Sequence, residues 1–228
     1  MILREWVDLP DEMRNESVKK YYDILKRKKV SLFMKRLFDL VFGLLFLVVF
    51  GPGLLIIGVL IKIDSKGPIM FRQVRVTQYG RQFRIFKFRT MVKAAEEIGA
   101  QITTKDDSRI TKLGRILRKY RIDEFPQILN IISGDMSFVG TRPEVPKYVE
   151  RYSEEMRATL LLPAGVTSEA SVEFKDEEEI LTNADDVDKT YTEDVLPEKM
   201  KINLQSIEYF GFFSELKVLA RTVWAMVK

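Results

Sequence analysis

Two adjacent carboxylates, Asp123 and Glu124, stand among a dense set of cations, and Arg118 lies five residues before them. The chain has neither His nor Cys, which excludes imidazole bases, thiolate nucleophiles and metal centres built on those ligands. Because nearby arginines favour an ionised carboxyl group, Asp123 would be a poor proton acceptor but an available nucleophile. Attack on phosphorus would need screening of the substrate's charge, which Mg²⁺ held by carboxylate and diphosphate oxygens would provide. The alternative, that the pair caps a helix and binds Arg121, stays open on these residues alone.

The segment around the carboxylates predicts the start of a helix and then a turn. Pro126 fits the first turn of a helix, so Asp123 and Glu124 would lie at its positive N-terminus, where carboxylates stay ionised. Downstream, SGDMSFVGTRP carries a lone arginine, Arg142, before Pro143. Backbone amides with an arginine suit a phosphate, although this pattern alone is weak and the familiar glycine-rich nucleotide loops are absent.

Residues 62–121 carry 16 Lys or Arg against 5 Asp or Glu, so this block needs an anionic partner or a solvated role. Within it, Ile69–Met91 alternates basic residues with aromatic and β-branched ones, and Thr77–Gly80 supplies a turn, which predicts one β-hairpin. Lys87 and Arg89 belong to its second strand. The alternation of Arg and Phe suits single-stranded nucleic acid, and equally a half-buried hairpin with one basic face.

Residues 40–61 form an uncharged apolar run of 22 residues. A straight helix of that length is about 33 Å long, enough to cross a bilayer core of about 30 Å. Gly51 and Pro52 interrupt the run, and basic residues flank both ends, which the positive-inside rule would hold at the cytoplasmic face. These features favour a helix–break–helix that enters and leaves by the same face, and a proline-kinked span stays open.

Three further segments flank these features. Leu9–Lys29 is typical of an amphipathic helix whose KRKK end either binds anionic headgroups or is simply solvated. Ile202–Val227 is typical of an amphipathic helix that lies at a membrane interface or packs on the core. The acidic block Glu173–Glu198, with 11 acidic and 2 basic residues, is expected to be a solvated connection.

Taken together, the motifs resemble the bacterial sugar transferase family, the monotopic phosphoglycosyl transferases. The resemblance rests on KRLFDLVFGLLFLVVFGPG, GPIMFRQVRVTQYGRQFRIFKFRTM and RKYRIDEFPQILNIISGDMSFVGTRP, which follow one another in the family's order over about residues 35–146. It implies transfer of a sugar 1-phosphate from a UDP-sugar to a polyprenyl phosphate, usually undecaprenyl phosphate, with release of UMP. The length is that of the small form that consists of the catalytic core.

The resemblance also implies roles for single residues. Asp123 would attack the sugar-bearing phosphorus and form a covalent phosphosugar intermediate, while Glu124 would help bind Mg²⁺ or manage a proton. The expected substrate-binding residues are four cations and one proline: Arg118, Arg142, Pro143, Lys87 and Arg89. Where family members often have Ser-Pro at the break of the hairpin and Gly-Pro-Arg-Pro, this chain has Gly51-Pro52 and Gly140-Thr141-Arg142-Pro143. These departures leave the sugar open, with an N-acetylated amino sugar favoured.

The fold implied is α+β and mainly helical. It comprises an N-terminal amphipathic helix in residues 1–34, a re-entrant membrane hairpin broken at Pro52 in 35–63, and a cytoplasmic catalytic domain in 64–228 with interfacial helices and one β-hairpin. The protein would lie in membrane lipid on the cytoplasmic face of the bacterial inner membrane. It would supply downstream glycosyltransferases and bind no nucleic acid, and a homodimer stays open.

Two functions of other classes remain as rivals. One is a membrane-tethered module that binds anionic lipid or nucleic acid without turnover, and it predicts salt-sensitive binding. The other is a transmembrane scaffold with its termini on opposite faces of the membrane. Neither explains the adjacent carboxylates or the ordered motifs.

Overall fold

The computed structural model describes residues 3–92, 109–174, 177, 181 and 186–227, and within them the chain is mostly helical, as predicted. The α-helices are α1 Glu16–Lys26, α2 Lys29–Asp64, α3 Lys112–Lys119, α4 Ile128–Ser133, α5 Pro146–Val149, α6 Glu169–Glu173, α7 Val187–Thr190, α8 Leu196–Glu208 and α9 Phe212–Val227. The 3₁₀-helices are Trp6–Asp8, Asp11–Met13, Gln78–Gly80, Ile122–Gln127 and Met156–Leu161, and a π-helical turn, Tyr191–Val195, joins α7 to α8.

The strands are short and form three pairs. They are β1 Met70–Phe71, β2 Val74–Val76, β3 Gln82–Arg84, β4 Lys87–Phe88, β5 Met136–Val139 and β6 Ala164–Thr167. The antiparallel pair β2–β3 closes around the predicted turn, where Tyr79 takes a φ of 59°, so the predicted β-hairpin is confirmed. The pair β1–β4 continues it. The parallel pair β5–β6 was not predicted, because β5 is a four-residue strand between turn residues and its partner is distant in sequence.

Helix α2 contains the whole apolar run and remains helical through Pro52. By length and composition alone it could cross a membrane. Its middle has little protein cover, since Val48, Val49 and Phe50 are exposed and a Cβ at Gly51 would meet nothing within 4 Å. This stretch of α2 therefore offers an apolar surface to its surroundings.

Both halves of α2 pack on the segment that carries the carboxylates. In the first half, Phe46 lies with its ring centroid 5.3 Å from that of Phe125. In the second half, Ile61 forms a buried cluster with neighbouring strands and helices, and Ile122 packs against this cluster. The 3₁₀-helix Ile122–Gln127 therefore contacts both halves of the long helix.

The N-terminal helix is shorter than predicted. It begins at Glu16 because Asn15 caps it, accepting a hydrogen bond from the amide of Val18 at 2.9 Å, whereas the chain before it forms only 3₁₀ turns. Its apolar face packs on protein: Val18 and Leu25 are fully buried in the largest hydrophobic cluster. This face of α1 is therefore not available to a membrane.

Two predictions for the C-terminal third were wrong. The single tail helix is divided into α8 and α9, because Phe210 turns into the core at the break and Gly211 follows it. The second half of the acidic block is helical, with Tyr191 and Leu196 buried, and is thus not a solvated connection. Residues 175, 176, 178–180 and 182–185 of that block lie outside the described residues.

Two glycines allow backbones to approach closely near the carboxylates. A Cβ at Gly114 in α3 would lie 2.1 Å from the carbonyl oxygen of Thr90, just after β4. A Cβ at Gly165 in β6 would lie 2.2 Å from the amide nitrogen of Gly140, just after β5. Side chains at these positions would separate the elements that carry the predicted site residues.

We expect Gly165→Ala to destabilise the fold by about 1–3 kcal/mol, the usual cost of overpacking, because the methyl group must displace rigid backbone. The measurement is the midpoint of thermal unfolding in detergent. Gly53→Ala is the matched control, since its Cβ would meet nothing within 4 Å and its midpoint should not fall. Equal midpoints for the two variants would contradict the close approach of β5 and β6.

Candidate active site

A left-handed residue places the two carboxylates. Arg121 takes a φ of 52° after α3, and the amide of Glu124 donates to its carbonyl at 3.2 Å, which starts the 3₁₀-helix Ile122–Gln127. Asp123 and Glu124 therefore occupy the first turn of a helical segment that continues directly into α4, close to the prediction. Since the first amides of a helix have no internal partner, this end is favourable for negative charge.

Glu124 joins three separate segments of the chain through one oxygen. Its Oε1 accepts from Nζ of Lys87 at 2.9 Å and from Nη2 of Arg142 at 2.6 Å. Lys87 comes from β4 and Arg142 from the loop after β5. Three residues predicted at separate motifs are thus brought together.

The pKa values of the two carboxyl groups are shifted in opposite directions. Although burial opposes ionisation, the charges of Arg142 and Lys87 and their hydrogen bonds hold the pKa of Glu124 well below its usual range. For Asp123 the balance is reversed: burial raises its pKa above the usual value, Lys87 and Arg118 oppose this, and negative Glu124 adds to it. The expectation that both groups are held ionised by arginines was correct for Glu124 and wrong in direction for Asp123.

Asp123 is half-buried, and its carboxyl group is hydrogen-bonded to its own backbone amide, while no ion pair joins it to another residue in the described part of the chain. Arg118 is near enough for its charge to lower the pKa of Asp123. Its Nη1 is buried without a hydrogen-bond partner among the described residues. A carboxylate that is not held in an ion pair, beside an unsatisfied guanidinium, suits a substrate that is both electrophilic and anionic.

The loop that carries Arg142 is held on both sides. Pro143, a predicted site residue, accepts through its carbonyl from Nη1 of Arg75 at 3.0 Å, and Gln73 holds the same guanidinium at 2.6 Å. On the other side, the amide of Gly165 donates to the carbonyl of Thr141 at 2.9 Å. Sequence analysis missed Arg75 and Gln73 as supports, since nothing in the hairpin pattern separates Arg75 from its other arginines.

Sequence analysis also did not name Gln127 as a residue of the carboxylate segment with a buried polar side chain. It is fully buried one 3₁₀ turn after Glu124, and its Nε2 has no hydrogen-bond partner among the described residues. Its position directly after Pro126 in the carboxylate segment was the available signal.

The structure directs the side chain of Arg89 to the end of α2. Its Nη2 donates to the carbonyl and hydroxyl oxygens of Ser65, at 2.6 and 2.9 Å, and thereby caps the C-terminal end of α2. Gly67 takes a φ of 136°, which disfavours other residues, and a Cβ there would also displace the guanidinium of Arg89. In this geometry Arg89 fixes the end of α2. Gly51 and Pro52 lie in the exposed middle of the same helix.

The family of this chain follows from comparison with known proteins. The family profile described as bacterial sugar transferase matches residues 30–228. The chain belongs to the bacterial sugar transferase family. The match includes α2 and every predicted site residue, whereas the packed segment before residue 30 lies outside it.

Individual relatives of this sugar transferase carry more specific names. A protein of Aeromonas hydrophila named UDP-N-acetylgalactosamine-undecaprenyl-phosphate N-acetylgalactosaminephosphotransferase is 44% identical over 124 residues, 54% of this chain and 29% of the relative. A UDP-glucose:undecaprenyl-phosphate glucose-1-phosphate transferase of Klebsiella pneumoniae is 31% identical over 198 residues, 86% of this chain and 40% of the relative. A Caulobacter vibrioides protein of that name is 34% identical over 192 residues, 83% of this chain and 68% of the relative. The chain spans less than half of the Aeromonas and Klebsiella proteins.

The sugar transferase offers few protein ligands for a metal ion. Among the described residues no group of three or more acidic side chains forms a metal cluster. The available oxygens are those of Asp123 and the Oε2 of Glu124, which does not contact Lys87 or Arg142. Because Mg²⁺ is commonly held by one or two carboxylates together with substrate phosphates and water, this donor set fits a Mg²⁺ that binds with its substrate.

We expect substitution of the two neighbours of Asp123 to shift its pKa in opposite directions. Lys87→Gln removes a cation that lowers the pKa of Asp123 and should raise it further, whereas Glu124→Gln removes an anion that raises it and should lower it. The measurement is a ¹³C NMR titration of Asp-labelled protein in detergent, with the signal assigned through Asp123→Asn. Shifts of the same sign in both variants would contradict the arrangement of charges.

Proposed function

We propose that this protein transfers a sugar 1-phosphate from a UDP-sugar to undecaprenyl phosphate and releases UMP, in the first membrane step of bacterial surface-glycan synthesis. The observation that carries the proposal is the carboxyl group of Asp123, which has no ion pair with another described residue, beside an ion-paired Glu124 and three cations, Lys87, Arg118 and Arg142. A carboxylate that is not held in an ion pair is available to attack phosphorus, and the cations suit a diphosphate. Three relatives named as undecaprenyl-phosphate sugar phosphotransferases support the same reaction.

The reaction takes two displacements at one phosphorus atom. An oxygen of Asp123 forms a bond to the sugar-bearing phosphorus, and the bond from that phosphorus to the bridging oxygen breaks, so UMP leaves with the electron pair. A phosphate oxygen of undecaprenyl phosphate then attacks the same phosphorus, and Asp123 leaves as a carboxylate. When the carboxyl group of Asp123 is ionised, neither step requires a base to remove its proton.

Glu124 acts as an organiser of cations in this scheme. Its pKa lies well below the usual range, so it stays ionised and is a poor proton donor. Its Oε1 fixes Lys87 and Arg142, and its Oε2 is the oxygen that would contact a metal ion. This favours a role in binding Mg²⁺ and placing cations over a role in proton transfer.

A Mg²⁺ ion would be held by Asp123 and Glu124 together with the substrate's diphosphate. When bound, it supplies screening of phosphate charge, which eases the approach of an anionic nucleophile. The chain's own Arg118 and Arg142 provide the same kind of screening from fixed positions on α3 and on the loop after β5.

We further propose that α2 enters and leaves the membrane by the same face, with its bend at Pro52. In support, the segment that carries the carboxylates contacts both Phe46 in the first half and the cluster of Ile61 in the second half. Because one charged domain contacts both halves of α2, the two halves cannot lead to opposite sides of a bilayer. The exposed middle around Phe50 would then be the part immersed in lipid, and the domain would lie at the cytoplasmic face of the inner membrane.

For the donor, we propose a UDP-linked N-acetylated amino sugar. The support is the 44% identity to the Aeromonas protein, whose name specifies N-acetylgalactosamine, against 31% and 34% for two relatives named for glucose. The lipid-linked product would pass to downstream glycosyltransferases.

The test of the reaction is capture of the covalent intermediate. Incubated with a panel of UDP-sugars and Mg²⁺ but no lipid, the protein should gain the mass of one sugar phosphate and release one equivalent of UMP. Addition of undecaprenyl phosphate should remove the added mass. The donor that gives this result identifies the sugar.

Two variants test the role of Asp123 in that experiment. Asp123→Asn should gain no mass and show no turnover, because the amide is not a nucleophile. Asp194→Asn is the matched control, since Asp194 is exposed and distant in sequence from the site, and it should behave as the unmodified protein. Turnover by folded Asp123→Asn protein would remove Asp123 as the nucleophile.

The topology of α2 is tested by labelling. Since the chain has no Cys, single cysteines can be introduced at the exposed positions Arg27 and Lys66, on either side of the apolar run. We expect a membrane-impermeant maleimide to label both variants in inverted inner-membrane vesicles and neither in intact spheroplasts. Labelling of one variant in each preparation would show that α2 spans the membrane.

A further inference from the structure

The basic pair before the apolar run is built into the protein. In sequence, Lys35 and Arg36 are typical of positive charges that hold a membrane segment at the cytoplasmic face. In the structure, the side chain of Lys35 is 2% exposed, and Asp39 one turn later is also 2% exposed. Residues this buried do not reach lipid headgroups, so another role is required.

Arg36 holds the end of the helix that carries the carboxylates. Its Nη1 donates to the carbonyl of Ile131 at 2.7 Å and its Nη2 to that of Ile132 at 2.9 Å. These carbonyls belong to the last turn of α4, and that of Ile131 also accepts from the amide of Gly134 at 3.1 Å. Because the segment of Asp123 continues directly into α4, Arg36 fixes the far end of the element that presents the carboxylates.

Lys35 and Asp39 hold the strand that leads to Arg142. Nζ of Lys35 donates to the carbonyl of Val139 at 2.6 Å and to the carboxylate of Glu215 in α9 at 2.7 Å. Asp39 accepts from the hydroxyl of Ser137 at 3.0 Å and from the amide of Phe138 at 3.1 Å. These contacts fix three consecutive residues of β5, which ends three positions before Arg142.

Two halves of the site therefore depend on one turn of α2. The carboxylate segment is attached through Arg36, and the arginine loop through Lys35 and Asp39. A misplacement of about 1 Å between reacting groups can cost about 100-fold in rate. These buried polar contacts also oppose a shift of α2 relative to α4 and β5, because a shift would leave polar groups unsatisfied.

We infer that Lys35, Arg36 and Asp39 are positioning residues that set Asp123 and Arg142 at a fixed place relative to the membrane helix. This inference rests on the proposed function for its kinetic consequence and on the contacts alone for its structural one. On the proposed topology, α2 lies in lipid and also fixes Asp123 relative to Arg142, which binds Glu124.

The test compares Arg36→Gln and Arg36→Lys with Lys62→Gln, which removes an exposed charge at the other flank of the same run. In single turnover without lipid, Arg36→Gln should form the sugar phosphate adduct about 10-fold or more slowly, yet modify the same fraction of protein. Arg36→Lys, which keeps one donor group, should recover part of the rate, and Lys62→Gln should keep all of it. Membrane association should be equal in the three variants.

The rate and the extent of adduct formation separate positioning from folding. A normal rate with a reduced extent in Arg36→Gln would mean that part of the protein is misfolded and would overturn the inference. Loss of membrane association in Arg36→Gln and Lys62→Gln alike would assign Arg36 to membrane orientation and would overturn it too.

A readout without turnover keeps the inference separate from the proposed reaction. Hydrogen exchange of residues 123–134 should be faster in Arg36→Gln than in the unmodified protein and unchanged in Lys62→Gln. If the unmodified protein forms no adduct with any donor, the proposed reaction fails, while the exchange result still decides whether Arg36 holds this segment. Unchanged exchange in Arg36→Gln would overturn the inference by itself.

Discussion

The ion pairs of Glu124 with Lys87 and Arg142 are the interaction on which the rest of the site depends. Charges that are partly removed from water are costly unless they are paired with good geometry. Glu124 meets that demand with contacts of 2.9 and 2.6 Å to cations from two different segments. The same contacts hold those cations in ion pairs with Glu124, whereas Asp123 interacts with Lys87 and Arg118 only through their charge.

The long helix is as much a part of this arrangement as the polar residues are. Its two halves cover two small hydrophobic clusters, one around Ile128 and one around Phe88, and the carboxylate segment lies between them. Arg89 fixes one end of the helix, and Lys35 and Arg36 fix the other to the core. The fold therefore uses one element both as an exposed apolar surface and as a wall of the core.

Local signals were enough to predict much of this protein. The turn at Thr77–Gly80 located the hairpin, and the position of Pro126 placed the carboxylates at a helix start. What local signals could not supply were contacts between distant segments, such as Arg75 with the carbonyl of Pro143 or the pairing of β5 with β6. The pKa of Asp123 belongs to the same class, since it follows from burial that only the assembled fold provides.

The start of the first helix was another source of error, for a different reason. One helix was predicted over Leu9–Lys29, and where such a helix starts depends on where the chain can pack as well as on the presence of a suitable N-cap residue. The structure places the start of α1 at Asn15, which directs Val18, Tyr22 and Leu25 into the largest cluster. Arg89 likewise looked like its basic neighbours until its partner, the end of α2, was known.

The packed N-terminal segment has a consequence for how this protein is divided. The family match begins at residue 30, the second residue of α2, yet Met13, Val18 and Leu25 lie in the same cluster as Leu161 and Leu196. A boundary drawn by sequence similarity therefore passes through a hydrophobic core. Grafting residues 30–228 into another protein would expose this apolar face, and a hybrid enzyme would have to carry α1 along or supply a substitute for it.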